Sequence, residues 1–532
     1  MWTVVFLSQF RHPWLYACLL ALWTTVGHTA VSINLPLDDP AYPLLEKLVS
    51  SNLTFRNALT IKPITRLYAA RLIAEAIQQR RHEWHNTQRQ EPFLDQTLQY
   101  LADRFKHELR QIGFLYQPQR QGPVFLAPLD EIYLELRGTH DQFVHRDSSG
   151  LTTNLQGVFG LQEGFVPGDG FSMRLRPRSW ATFWRHLALY IEPELLLRTD
   201  PIFGEEIVEA DLHKGYLKVD YANLELALGR DTLWWGPASQ GDLVLSNNAP
   251  PLELLKLSTP LPFRLPWLYN ELGEWQVAYF VARLEADRVI PHTLLSGLRL
   301  TLQPASFLQF GFTNAFQAFG EGGISLAPLD FVSKHFIPAL DDDEDSVNGI
   351  FAYDIVLSLP FIRDMTFLKS VKFYWQRGND NVRDVQGILG GGNILGGVID
   401  GGRWDLRVEF AETQDAGAVW YTHSTYRSGF AFKQFILGHP IGGAAESLFA
   451  RATYYVTPTF WIAADGRREQ YGLDIQPQET THYRMGLEGS YQLTLFEHHL
   501  VLWSRFEYAT LDQHATELQH SFLALISARW RL

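Results

Sequence analysis

The sequence predicts a mainly β protein: a large antiparallel transmembrane β-barrel of about 16–18 strands with a small N-terminal α-helical domain. Three observations predict it. From residue 117 to the C-terminus, apolar residues recur with a period of two. Aromatic residues make up 14% of the 532 residues, a load that suits girdles at two membrane interfaces. Mean hydropathy is only −0.11, and past the N-terminus no apolar run approaches the ~18 residues of a membrane helix. That excludes a polytopic helical membrane protein. Strands alternating apolar and polar residues average to the same neutral value.

Taken in chain order, residues 1–30 read as a signal peptide. Arg11 and His12 give a basic flank, Trp14 to Trp23 is mostly apolar, and the small residues Thr25, Gly27, Thr29 and Ala30 follow. Cleavage is expected near Ala30; an uncleaved anchor is the alternative. The single cysteine, Cys18, lies inside this segment. Bulky Tyr16 and the apolar run beyond Cys18 argue against lipid attachment. The processed chain is expected to hold no disulfide, thiolate zinc site or cysteine nucleophile.

Residues 31–116 read as a periplasmic helical bundle. Asp38-Asp39-Pro40 offers a helix start, and Leu44, Leu45 and Leu48 follow at helical spacing. Thr65 is a candidate N-cap for an Ala- and Leu-rich helix. Phe93, Leu94, Leu98, Leu101, Phe105 and Leu109 form one apolar stripe. Gln117 to Pro123 reads as a linker.

Residues 117–532 read as the barrel. Leu187, Leu189 and Ile191 alternate with Ala188, Tyr190 and Glu192. Leu224, Leu226 and Leu228 alternate with Glu225, Ala227 and Gly229. Trp404, Leu406, Val408 and Phe410 alternate with Asp405, Arg407, Glu409 and Ala411. The first set of each faces lipid and the second a wet lumen. Tyr221-Ala222-Asn223, Gly378-Asn379-Asp380 and Asp400-Gly401-Gly402 mark turns. At the end, Phe522, Ala524, Ile526, Ala528, Trp530 and Leu532 share one face, like the terminal strand read by barrel insertion machinery.

Net charge is −13, which argues against nucleic acid as a partner. An acidic polymer would have to be met by local Arg and Lys clusters. Catalytic patterns come close and fail. His82-Glu83-Trp84-His85 lacks the His that H-E-x-x-H needs, since Asn86 stands there. Gly390-Gly391-Gly392-Asn393-Ile394-Leu395-Gly396 is not a phosphate cradle and reads as a loop or hairpin. Asp341 to Asp345 could offer oxygens to Ca²⁺ but lacks the EF-hand Gly and Glu, and reads as a solvated loop. No G-x-S-x-G occurs, and no paired carboxylates point to glycoside hydrolysis. No metal, cofactor or catalytic residue is expected.

The most informative stretch is G-R-D-T-L-W-W-G-P-A-S-Q-G-D-L-V-L-S-N-N-A-P-P, Gly229 to Pro251. Indole faces stack on pyranose rings, Arg grips a carboxylate bidentately, and Asn amides bond hydroxyls. The same residues also suit a strand, a Gly-Pro turn and a second strand with buried indoles. Equally, Arg230 and Asp231 could pair across the wall, with the tryptophans in an interface girdle. This stretch resembles the motif of the capsule assembly protein Wzi family, with departures at Ala238 (Gly expected) and Asp242 (Ser expected). Leu437 to Gly443, L-G-H-P-I-G-G, resembles a later motif of the same family. Two pieces, D-P-A-Y-P-L-L-E-K-L and P-I-T-R-L-Y-A-A-R-L-I, also resemble an S-layer-homology unit.

The family resemblance implies an outer-membrane barrel of about 18 strands with its helical domain in the periplasm. It implies a non-catalytic role in binding capsular or other surface polysaccharide and assisting its attachment. Expected polysaccharide-binding residues are Arg230, Asp231, Trp234, Trp235, Asn247, Asn248 and His439. Expected partners are that polysaccharide, outer-membrane lipid and the insertion machinery, with the protein a monomer. A saccharide or diffusion porin of the same fold, and an outer-membrane enzyme acting on lipid or glycan, are the alternatives.

Overall fold

The computed structural model describes residues 31–54, 59–116, 123–140, 145–146, 152–153, 163–165, 170–199, 206–266, 271–336, 347–365, 367–380, 391–415, 418–473, 480–495, 498–513 and 518–532. The signal segment, Gln117 to Gly122 of the linker and the Asp341 to Asp345 run lie outside these.

Among the described residues, four N-terminal helices come first: α1 (Ala41–Ser50), α2 (Arg66–Thr87), α3 (Pro92–Arg104) and α4 (Lys106–Gln111). Thr65 caps α2, its hydroxyl accepting from the Tyr68 N–H at 3.1 Å. Before α1, whose N-cap is Pro40, Asp39 Oδ1 accepts from the Ala41 N–H at 2.8 Å. The stripe from Phe93 to Ile112 does not form one helix. The chain breaks at Phe105 (φ −105°, ψ 23°), and the two pieces still share a core because Leu98, Leu101, Phe105 and Leu109 all join the buried cluster that α1 and α2 enter. Buried pairs Arg66–Glu108 (2.5 Å) and Arg104–Asp39 (2.6 Å) lock the helices together.

Among the described residues, eighteen antiparallel strands close into a barrel. They are β1 (Val124–His140), β2 (Gly170–Phe183), β3 (Leu187–Thr199), β4 (Glu206–Tyr221), β5 (Leu224–Asp231), β6 (Leu252–Ser258), β7 (Glu274–Arg283), β8 (Leu294–Ala305) and β9 (Leu308–Ala318). The ring continues with β10 (Asn348–Ser358), β11 (Ser370–Asp380), β12 (Asn393–Asp400), β13 (Trp404–Glu412), β14 (Ala445–Thr457), β15 (Phe460–Tyr471), β16 (Thr480–Leu495), β17 (His498–Gln513) and β18 (Gln519–Arg531). The seam pairs β1 with β18, from Glu131 opposite Arg531 to His140 opposite Phe522. Closure removes every sheet edge, the condition for strands in hydrocarbon.

Side chains divide as the alternation requires. Leu224, Leu226 and Leu228 are exposed on the outer wall, while Glu225 and Ala227 are buried within. On β18, Phe522, Ala524, Ile526 and Trp530 face out and Ser527 and Arg529 face in. The inner wall is a lattice of paired charges, such as Arg299 fork-to-fork on Asp354 (2.6 and 3.1 Å) and Arg505 on Asp465 (2.7 and 2.9 Å).

One end of the barrel carries two- or three-residue turns: 184–186, 222–223, 306–307, 401–403 and 458–459. The turns expected at Tyr221-Ala222-Asn223 and Asp400-Gly401-Gly402 are both there. Gly378-Asn379-Asp380 is instead the last stretch of β11. Gly378 serves close packing, not a turn: a Cβ there would stand 3.1 Å from the Ala352 Cβ and 3.2 Å from Leu243. Asn393 through Gly396 likewise belong to β12 and not to a loop.

The helices seat on this short-turn end. Lys47 of α1 bonds Asp400 and Asp405 (2.9 and 3.0 Å), Tyr100 donates to Gln492 (2.9 Å), and Arg363 reaches Glu83 and Glu91 (2.8 and 2.9 Å). Leu261 and Tyr455 of the barrel join the helical core.

Candidate functional site

The segment after β5 does not rise out of the barrel. It turns inward at Thr232 and crosses the lumen. Trp234-Trp235 pairs antiparallel with Ile61-Lys62, so the motif is stitched to the chain that carries the helices. Gly236 N–H adds a bond to Thr60 O (2.9 Å). Farther on, Ser239 N–H, Ser239 Oγ and Gln240 N–H all donate to the Glu409 carboxylate of β13, at 2.7, 2.9 and 3.0 Å. Arg467 of β15 donates to Gln240 Oε1. A loop leaving β5 and gripping β13 and β15 has reached the opposite side of an eighteen-strand ring.

The second motif closes onto the first. Ser246 N–H bonds Leu437 O (2.8 Å), Ser246 Oγ donates to Gly438 O (2.5 Å), and Asn248 Nδ2 donates to Ile436 O (2.8 Å). The Tyr421 hydroxyl bridges both, donating to Leu243 O and accepting from the His439 N–H, each at 2.9 Å. Two glycines make the fit possible. Gly236 (φ 148°) and Gly241 (φ 154°) take left-handed backbone, and a Cβ on them would collide with the Asp242 carboxyl and the Pro440 ring respectively.

The seven expected site residues therefore separate. Asp231, Trp234, Trp235, Asn247, Asn248 and His439 gather in the lumen and are all buried. Trp235 is fully covered, edge-on to Phe280 with ring centres 5.2 Å apart. Trp234 borders a cavity, with Lys62 Nζ 5.7 Å from its ring. Among the described residues, Asn247 Nδ2 and His439 Nε2 are buried without a hydrogen-bond partner. Arg230 is not among them. It continues the outward row of Leu224, Leu226 and Leu228, and lies on the outer wall between Asp211 and Glu253, each at 2.8 Å. Asp231 points inward and accepts from Asn34 Nδ2 at 2.7 Å. So the alternative of an Arg230–Asp231 pair does not occur, because adjacent strand residues face opposite sides of the wall. The interface girdle does not hold these tryptophans either; the plain alternative of buried indoles describes them.

Two buried groups in the loops have displaced protonation. Burial pushes the His439 imidazole down to about 3, with Arg467 adding and Glu469 opposing. Burial raises the Asp242 carboxyl well above the carboxylate range against the pull of Arg299. Asp242 is one of the two departures noted in the motif, and its Oδ1 accepts from the Ala238 N–H at 3.3 Å. Among the described residues no cluster of three or more His, Cys, Asp or Glu could hold a metal ion.

Several residues that build this arrangement carried no sequence signal. Glu409 read only as one inward carboxylate among many. Tyr421, Thr60 and Gln376, whose Oε1 accepts from the Leu243 N–H at 3.0 Å, act through tertiary contacts that no local pattern encodes. Glu163 meets Lys214, His213 (2.7 Å) and Arg176 (3.2 Å), and its N–H bonds Asn247 O (2.7 Å).

Comparison with known proteins gives four findings. The family model for the capsule assembly protein Wzi matches residues 138–521. A Klebsiella pneumoniae protein described as an uncharacterized 55.8 kDa protein in the cps region is 25% identical over 197 residues. That alignment covers 35% of this chain and spans only 36% of the relative's length. Among solved structures, Escherichia coli Wzi, described as a carbohydrate-binding β-barrel outer-membrane protein involved in group 1 capsule assembly, superposes with a TM-score of 0.64. It is 16% identical and the match covers 93% of this chain and 99% of that one. Acinetobacter baumannii OccAB2 superposes with a TM-score of 0.45 at 9% identity, covering 76% of this chain and 98% of its own.

Proposed function

The chain belongs to the capsule assembly protein Wzi family, and on that premise we propose that it is an outer-membrane barrel that binds surface polysaccharide, capsular where the host makes a capsule, and helps to attach or assemble it without converting it chemically. The observation that carries this reading is the loop 232–251, which spans the lumen and is zipped to the second motif and to the helix-bearing segment. A barrel so crossed offers surfaces to a polymer and not a path for a solute. The Escherichia coli protein of the same fold is described as carbohydrate-binding, which supports the same ligand class.

In this reading residues 1–30 are an export signal, 31–116 a periplasmic unit and 117–532 the membrane barrel. Sugar contacts along one polymer are individually weak and sum to firm attachment. Trp234 and Asn247, which border the lumenal cavity, contact sugar. Asp231, Trp235, Asn248 and His439 hold the loops that present it, and Arg230 supplies a cation on the outer wall. The protein works as a monomer, delivered by the barrel insertion machinery.

The test is a pull-down of the host's own surface polysaccharide with the purified, detergent-solubilised protein, beside a neutral glucan. Capture of the host polymer at its original chain length supports the reading. No capture removes it, and shortened chains would establish an enzyme instead.

A further inference from the structure

A cavity of about 200 Å³ lies in the lumen between α1, the Trp234–Ser239 segment and the inner wall of the barrel. Its charges are unevenly matched. On one side they are saturated: Asp38 takes Arg178 and Arg529 (3.1 and 2.7 Å), and Arg451 takes Glu488 (2.6 Å). On the other side Arg407, Lys62 and Lys372 surround Glu46, and with Lys47 they make four cations to the three carboxylates Glu46, Asp400 and Asp405. Arg407 lies 2.8 Å and Lys62 3.5 Å from Glu46. Lys372 lines the same wall, and among the described residues it makes no hydrogen bond or ion pair; its ammonium stands 5.8 Å from the Tyr374 ring. Asp400 and Asp405 are taken by Lys47, and Glu409 of β13 by Ser239, Gln240 and the Tyr374 hydroxyl.

Flat aromatic faces adjoin these cations. Lys62 Nζ is 5.7 Å from the Trp234 ring and 5.6 Å from the Tyr42 ring. Trp461 and Trp503 line the cavity as well. Cations in excess beside aromatic faces suit a ring that is apolar on one face and anionic at its edge.

We propose that this cavity binds one acidic sugar unit, its carboxylate against Lys372, Lys62 and Arg407 and its ring against Trp234. The proposal rests on the polysaccharide-binding reading above and names the chemistry of the unit. Entry is from the helix-covered end. A second cavity of about 260 Å³, at the rim between α1, α3 and the 401–403 turn, shares Lys47 and Asp400 with the first. The Lys47 ion pairs with Asp400 and Asp405 stand between the two and must open for a ligand to pass.

Isothermal titration of the full-length protein in detergent with glucuronate, glucose and inorganic phosphate tests this. Glucuronate is expected to bind saturably, and glucose and phosphate roughly tenfold more weakly or worse. Replacing Lys372 by Gln is expected to weaken glucuronate roughly tenfold, as loss of one charged contact does. Lys372→Arg should restore most of the binding, and both variants should keep the heat-modifiable band of a folded barrel. No glucuronate binding, equal binding of phosphate, or a Lys372→Gln variant indistinguishable from wild type would each overturn the proposal. Polymer captured without glucuronate binding rejects the cavity and spares the polysaccharide reading. Glucuronate bound without polymer capture does the reverse.

Discussion

One hydroxyl, that of Tyr421, serves both motif loops of the lumen. Its removal in Tyr421→Phe leaves Leu243 O and the His439 N–H buried without that partner. The expected cost is about 1–3 kcal/mol, seen as a lower temperature for the folded-to-unfolded shift on gels; an unchanged transition would count against the bridge. His439 gives the site a pH dependence. Its imidazole is held neutral down to about 3 by burial, whereas an unfolded histidine takes its proton near ~6.5. Between those values the unfolded chain binds the extra proton, so stability is full above ~6.5 and falls as the pH drops toward 3. His439→Gln should flatten that slope in a melting series. Trp235 is fully covered, so Trp235→Ala should cost about 3–5 kcal/mol. Trp234→Ala, at the cavity edge, should instead lower polysaccharide retention in the pull-down with the barrel still heat-modifiable. The sequence singled out these residues because indoles, amides and glycines at such density are a chemical signal. It could not separate Arg230 from the rest, since its outward position follows from a strand that ends one residue later.

At the scale of elements, two devices close the barrel: the crossing loops and the helices. The helices are latched by Arg363, a residue of the 359–369 connection whose guanidinium holds Glu83 and Glu91, with Lys369 adding a bond to Glu91 at 3.0 Å. Arg363→Ala should increase proteolysis within residues 59–116 while leaving the barrel band intact; equal resistance would show that Lys47 and Tyr100 suffice alone. The N-cap at Thr65 and the alternation in β3, β5 and β13 were legible because each depends on neighbours within a few residues. The break at Phe105 was not, because the apolar stripe runs through it unchanged. Gly378 misled for a related reason. Gly-Asn-Asp is turn chemistry by composition, yet here the missing side chain makes room for Leu243 from a loop more than a hundred positions away.

At the scale of the molecule, a period of two, a terminal strand with one apolar face and a heavy aromatic load were enough to read a barrel, because those features follow from lipid outside and paired charges within. What filled the barrel was not readable, since a loop that folds inward and one that folds outward obey the same local rules. Single-channel recording in a planar bilayer tests the closed barrel most directly. The intact protein should give no sustained large current, and removal of residues 31–116 should raise conductance. A steady, porin-sized current from the intact protein would contradict the account.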